Sequence, residues 1–419
     1  MNITRLLLTL LFLTISTAVQ AETVDGLEGK VMCGYQGWFR VPQDDAGGNW
    51  RHYASGSRFE PGRCTIDLWP DVRELSPEDR IDTPFRHADG SVAQVFSSPR
   101  QSTVAMHFRW MQEYGIDGVF VQRFPTDCRD QRHRQTMDAV LRYSQQAARD
   151  TGRQWVLMYD LSGMTPNRFA EVKQDWRHLQ QTLNVANAEH DPAYLKHRGK
   201  PLIALWGLGF NDRAAGLDEW RQLIDFFQHE AIDGGFSLML GVPTYWRTLN
   251  RDTIDDPRLH DLMAQAEVVS PWAVGRFGTP AEAARHIQSV VPDDLAWCNE
   301  RKIDYLPVAF PGFSWHNLME LRGQKAKLNA MPRLAGEFFW SQVWNYHQQG
   351  TRMQYVAMFD ELDEGTAIFK VRNDPPVGES SFAAEPGLPS DHYLWLTGQV
   401  GRMLRGEGDF AAEVPKREQ

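Results

Sequence analysis

The chain has 419 residues, of which 42% are hydrophobic and 11% aromatic, and a formal net charge of −10. This composition supplies a large buried core and excludes a disordered chain, while the length allows one large barrel or two medium domains. Basic residues fall in mixed-sign patches such as Arg129-Asp130-Gln131-Arg132 rather than in a stripe, which excludes nucleic acid as a partner.

Residues 1–21 read as a cleavable signal peptide. Arg5 ends a short polar start, residues 6–15 form an apolar stretch, and Val19-Gln20-Ala21 places small residues before a cut. The stretch is too short to span a bilayer, and no cysteine follows at once to take a lipid. The expected location is periplasmic or secreted, with no membrane span in the mature chain.

Beyond it, apolar runs of strand length recur at 31–39, 118–124, 155–160, 201–206, 237–242, 268–272, 305–310 and 355–361. Their unbroken apolarity suits parallel strands buried on both faces. Helical periodicity lies between them. Val104, Phe108 and Met111 share a face before Gly115, and Met137, Val140, Leu141 and Tyr143 serve a helix ending near Gly152. Segments 217–230, 280–301, 336–349 and 391–405 read as helices too, with Pro280 suited to a first turn, whereas 168–183 and 257–266 are shorter or less regular.

Eight strands alternating with helices predict a (β/α)8 TIM barrel, an α/β domain spanning 22–408, with 409–419 as a disordered tail that has little to bury. An open doubly wound sheet is weakened because Gly34-Tyr35-Gln36-Gly37-Trp38 lacks a nucleotide-binding glycine pattern. The first strand is followed by a long insertion, about 40–100, in which Asp89-Gly90 predicts a β-hairpin between 83–85 and 92–96. In a barrel this insertion sits at the mouth and walls a cleft. Cys33, Cys64, Cys128 and Cys298 are widely spaced, with neither CxxC nor zinc spacing, so disulfides and buried thiols stand equally open.

The most informative segment is Phe359-Asp360-Glu361-Leu362-Asp363-Glu364-Gly365-Thr366, with four acidic side chains in five positions after a predicted strand. Like charges this close raise one another's pKa, and two carboxyls with separated pKa values are what acid/base cleavage of a glycosidic bond requires. Glu361 and Glu364 are therefore the catalytic candidates. A metal site built from these acids lacks supporting ligands, so no metal or cofactor is expected.

Other strand ends offer Gln36 and Trp38, Arg123, Asp160, Trp206, Tyr245 and Trp246, Trp272, and Trp315 and His316. Aromatic rings pack on the apolar faces of sugars while polar groups take their hydroxyls, which predicts an oligosaccharide or polysaccharide substrate. For any single Trp, core packing is the better reading. Asp160 is either a substrate ligand or the ion-pair partner of Arg123. His316 seen alone reads as a capped or surface histidine. Asp67, from the insertion, reaches the cleft or stabilises a loop, and Tyr35 is similarly open.

Three segments carry a family resemblance: Val31-Met-Cys-Gly-Tyr-Gln-Gly-Trp-Phe39, Asp117-Gly-Val-Phe-Val-Gln-Arg-Phe124 and Met358-Phe-Asp-Glu-Leu-Asp-Glu-Gly-Thr-Ala-Ile368. The last resembles the catalytic motif of glycoside hydrolase family 99, Phe-Asn-Glu-Trp-His-Glu-Gly-Thr, at Phe359, Glu361, Glu364, Gly365 and Thr366. The chain looks still more like the broader family 71/99-like group of exported bacterial proteins. The resemblance implies a (β/α)8 barrel and a retaining, metal-free glycosidase acting on an α-linked glycan. Glu361 would act as base on the sugar 2-hydroxyl, forming a 1,2-anhydro intermediate, and Glu364 as general acid and then base. A direct carboxylate nucleophile at Glu361 is the alternative chemistry. Asp360, Leu362 and Asp363 replace the motif's Asn, Trp and His, so mannose specificity does not carry over, and Asp360 and Asp363 are rival carboxylates beside the sugar. An α-glucanase of the family 71 kind, a pentose side-chain glycosidase and a non-catalytic glycan-binding barrel are the alternative functions.

Overall fold

The computed structural model describes residues 26–45, 47–187 and 189–417, so the expected signal segment lies outside the described residues. Eight parallel strand positions follow one another around the sheet: Val31–Tyr35, Gly118–Arg123, Gln154–Asp160, Lys200–Trp206, Ser237–Val242, Val268–Pro271, a seventh split into Asp304–Tyr305 and Val308–Ala309, and Gln354–Val356. The split strand carries the closure. Its first piece pairs with strand six and its second with strand eight, and strand eight pairs with strand one. Pro307, which has no N–H to donate, sits at the break and gives its carbonyl to the Tyr355 amide. The expected (β/α)8 barrel is the observed fold.

Alternation along each strand divides the core in two. Met32, Phe120, Val156, Met158, Leu202, Ala204, Met239, Val268, Val308 and Tyr355 fill the barrel interior. Their neighbours, among them Cys33, Val119, Leu157, Ile203, Leu240 and Val269, pack outward into the helix layer. Burial on both faces is the reason the runs are apolar without a break.

The helices begin and end where local chemistry directs. Gln131–Thr151 starts at Asp130, whose carboxylate accepts the Arg132 and His133 amides, and stops at Gly152 with φ 65°. Gln101–Tyr114 stops in the same way at Gly115, φ 75°. The segment expected to be irregular, 168–183, holds a 14-residue helix, Ala170–Leu183. Its polar residues mask the inward face of Val172, Trp176, Leu179 and Leu183. Arg258–Met263 is short, as its sequence suggests. The hairpin Lys196–His197 with Lys200–Trp206 was not anticipated.

The insertion contains the expected antiparallel hairpin, Ile81–Arg86 with Val92–Val95. Trp69 is buried among Phe59, Phe85 and Phe382, which extend the helix-layer core into the insertion. The amides of Asp67 and Leu68 both donate to the Leu362 carbonyl, and Asp71 donates to Lys370. These bonds fasten the insertion to the chain that follows strand eight. Segment 409–417, read from composition as a tail with little to bury, carries contacts of its own. Trp340 Nε1 donates to the Ala411 carbonyl at 2.8 Å, and Arg417 pairs with Asp391 at 2.7 Å. All four cysteines are buried free thiols. No helix among the described residues is long and apolar enough to cross a membrane.

Candidate active site

Strand parity decides which strand-end side chains reach the mouth. Asp160 follows Val156 and Met158 in the interior register, and Trp206 follows Leu202 and Ala204. Trp272 shares that interior and stands edge-on to Trp206 at 5.4 Å between ring centres. Gly241, on the adjoining strand, leaves room for the Trp206 ring, which a Cβ there would meet at 2.3 Å. Two candidates have the opposite parity. Tyr35 is fully buried against Phe108 and Phe359 and bonds His107 Nδ1 at 3.0 Å. Arg123 is fully buried in the helix layer, paired with Asp175 at 2.6 Å and Asp138 at 2.9 Å. Its partner is therefore not Asp160, whose Oδ1 accepts the Ser162 amide at 2.8 Å. Burial raises the Asp160 pKa.

The loop after strand eight brings the four acids into contrasting settings. Asp360 is fully buried, and its two oxygens accept the Gln36 and Gly37 amides, each at 2.8 Å. Burial pushes its pKa up to about 7, opposed by those two N–H groups. It is a clip between strand eight and strand one, not a rival carboxylate for substrate. Gln36 is nearly buried and joins the clip through its amide.

Glu361 is 5% exposed and accepts the Thr366 hydroxyl at 3.1 Å. Burial, then the charges of Glu364 and Asp363, hold its carboxyl well above the usual range. Glu364 is half-buried, and burial followed by the charge of Asp363 raises it to about 7, with Arg322 pulling the other way. Below them lies the fully buried hydroxyl of Tyr355, which both Asp160 and Glu361 bias towards its neutral form, after burial itself. Gly365 makes the turn at φ 63°, where an added Cβ would come within 3.0 Å of Ser314.

Residues from the insertion complete this side of the mouth. His52 Nδ1 lies 3.1 Å from Asp363 Oδ2, and its ring stacks on Trp38 at 3.9 Å with 5° between planes. Sequence reasoning missed His52, which sits in an aperiodic stretch of the insertion with no motif around it. Asp67 settles as the loop stabiliser. It is fully buried and accepts from the Ser314 hydroxyl, the His316 amide at 2.6 Å, and the Asn317 amide and side chain at 2.9 and 2.8 Å. Burial raises its pKa, and these bonds oppose the rise. It thereby holds the start of helix His316–Leu321 against the insertion. Arg333, likewise unforeseen, is buried and donates to the carbonyls of Gly365 and Ala367.

The remaining candidates divide. Trp315 is partly exposed beside Phe313, and His316 Nδ1 is taken by the Ala326 carbonyl at 2.7 Å. Tyr245 is partly exposed over the mouth, while Trp246 is fully buried against Trp297 in the helix layer. Among the described residues, no group of three or more His, Cys, Asp or Glu side chains is arranged to hold a metal ion.

Fold and site together define a (β/α)8 barrel whose mouth holds buried carboxyls on the loop after strand eight. No protein-family model matches the sequence, and no curated protein matches it. Among solved structures, the chain is similar to the family 99 endo-α-mannosidase of Bacteroides thetaiotaomicron bound to bis-tris-propane, with TM-score 0.59 and 15% identity over 91% of this chain and 98% of that one. A second structure of that enzyme gives TM-score 0.58 and 14% identity over 91% and 99%. At these identities the likeness defines the fold, in agreement with the family resemblance carried by the sequence motifs.

Proposed function

We propose that the protein is an exported retaining glycoside hydrolase acting on an α-linked glycan. The observation that carries this reading is the pair Glu361 and Glu364, both raised by burial and by neighbouring charge, on one loop at the barrel mouth. Burial holds both carboxyls towards their protonated forms into the neutral range, so they titrate as a pair, and the division into Glu361 as base and Glu364 as acid follows the motif resemblance. The Thr366 hydroxyl favours the ionised form of Glu361, and the greater openness of Glu364 suits a group that must meet both a leaving oxygen and water.

In the reaction, Glu361 takes the proton of the sugar 2-hydroxyl as that oxygen attacks the anomeric carbon. Glu364 gives its proton to the departing glycosidic oxygen. Glu364 then removes a proton from water, which opens the three-membered ring, and Glu361 returns its proton to the 2-oxygen. Two inversions at the anomeric carbon give net retention. The structural neighbours of family 99 and the partly exposed Trp38, Trp206, Trp272 and Trp315 support a sugar-binding mouth. Replacement of the motif's Trp and His by Leu362 and Asp363 argues against simple transfer of the neighbours' mannosidase specificity.

The test is hydrolysis of a panel of α-linked oligosaccharides by wild type and Glu364→Gln, with anomeric configuration followed by NMR. Cleavage by wild type alone, with retention, is expected. Equal turnover by the variant would sink the assignment, and glycan binding by both without cleavage would identify a non-catalytic barrel.

A further inference from the structure

Across the mouth from the carboxyls, the loops after strands four, five and six enclose a cleft of about 480 Å³, lined by Phe210, Asp212, Tyr245, Arg251, Asp252 and Arg276. Its chemistry differs from that of the strand-eight side. Beside the cleft the Arg213 guanidinium lies 4.8 Å over Phe210 and 5.6 Å over Trp206. Arg276 pairs with Asp252 at 2.8 Å, but that carboxylate is also committed to the Thr244 and Tyr245 amides at 3.1 Å each. Arg213 pairs with Asp212, whose side chain is 67% exposed and therefore well screened.

Arg251 stands apart. It stacks 4.4 Å over the Tyr245 ring and donates to the Tyr245 hydroxyl at 2.6 Å, with no carboxylate at ion-pair distance among the described residues. Its side chain is exposed, so its charge is met by solvent and is free to take an anionic group that enters the cleft. His286, edge-on to Tyr245 at 5.8 Å, registers that charge: burial first and Arg251 second disfavour its protonated form, with Asp252 opposing them. Two guanidinium groups, Arg251 and Arg276, line the cleft, and of its two carboxylates Asp252 is tied to backbone amides and Asp212 to Arg213. A planar guanidinium fork beside aromatic rings matches an anionic group on a sugar ring.

We propose that this cleft is a subsite for a sugar unit bearing an anionic substituent, a carboxylate or a sulfate, with Arg251 and Arg276 as its cationic wall and Tyr245 and Phe210 as its packing surface. The proposal rests on the glycan reading of the mouth and narrows its substrate class to acidic glycans.

The experiment is NMR titration of the protein with methyl α-D-glucuronide, glucose 6-sulfate and the neutral methyl α-D-glucoside, repeated on Arg251→Gln and Arg251→Lys. Wild type is expected to bind at least one anionic sugar about tenfold more tightly than the neutral one. The preference should shrink at about 0.5 M salt, disappear in Arg251→Gln and persist in part in Arg251→Lys. Which of the two anions gains identifies carboxylate or sulfate. Equal affinity for charged and neutral sugars in wild type, or a preference unchanged in Arg251→Gln, overturns the proposal. Because binding is read without turnover, the two readings fail separately. A charge preference without hydrolysis of any glycan leaves the subsite standing and the hydrolase reading lost. Hydrolysis of neutral glycans with no charge preference does the reverse.

Discussion

Glu364→Gln should make the protein more stable in alkaline solution. In the fold the Glu364 carboxyl is raised from 4.5 to about 7, mainly by burial and then by the charge of Asp363. Each tenfold change in proton affinity corresponds to about 1.4 kcal/mol, so the ionised side chain costs the native state at most about 3 kcal/mol. Partial exposure screens some of this, and protons redistribute onto Glu361, which leaves an expected gain of about 1–3 kcal/mol. The sign follows from the direction of the shift. A folded-state pKa above the unfolded value stabilises fully below about pH 4.5, and that contribution is lost as the pH rises through about 7. Gln carries no such dependence and nearly matches protonated Glu in shape. Urea denaturation followed by tryptophan fluorescence should therefore show the variant more stable at about pH 8 and equal to wild type at about pH 4. A variant less stable than wild type at the higher pH, or a gain equal at both, would refute the reasoning that the fold tolerates this charge at its own expense.

Other substitutions probe the supports of the site. Asp67→Ala strands four donors around helix His316–Leu321 and should cost about 3–5 kcal/mol in urea denaturation, with Asp67→Asn losing less because one acceptor oxygen remains. Gly365→Ala puts a side chain at φ 63° and within 3.0 Å of Ser314, so a loss of about 1–3 kcal/mol is expected, together with a fall in kcat as the Glu364 carboxyl shifts. Asp175→Asn takes away half of the pairing of buried Arg123 and should destabilise by about 3–5 kcal/mol while leaving glycan affinity of the folded protein unchanged. A selective change in affinity instead would return Arg123 to the substrate.

The barrel was legible because parallel strands buried on both faces leave long apolar runs, and the second to sixth predicted runs match their strands to within about a residue, while the first overruns its strand and the seventh is split. Strand eight departs most. The apolar run continues to 361, yet regular pairing ends at Val356: Ala357 still bonds Ala309 and Phe359 still bonds Gly34 of strand one, but between them the Met358 amide turns to the Thr366 carbonyl. Helix Ala170–Leu183 was undervalued for the opposite reason, since Lys173, Gln174, Arg177 and Gln180 dilute its apolar spacing. The acidic loop was legible from charge density alone. What that density did not distinguish was Asp360, turned back onto two strand-one amides, from Glu361 and Glu364, which meet the mouth.

The misplacement of Tyr35 and Arg123 has one cause, and it lies in the sequence. Side chains two residues apart share a face, so Asp160 belongs with Met158 and Val156, and Arg123 belongs with Val121 and Val119. Tyr245 and Trp246 lie in the turn beyond strand five, where this alternation no longer holds, and Trp246 packs into the helix layer against Trp297. Parity would have retained Asp160, Trp206 and Trp272 and set aside Arg123 and Tyr35. It has no purchase on His52, Arg251 or Arg333, which hang from loops without a period. Those three are positioned by tertiary contacts: a stacked Trp38 ring, a Tyr245 face, and the carbonyls of the strand-eight loop. In this protein the strands set the floor of the mouth, and the loops set its charge.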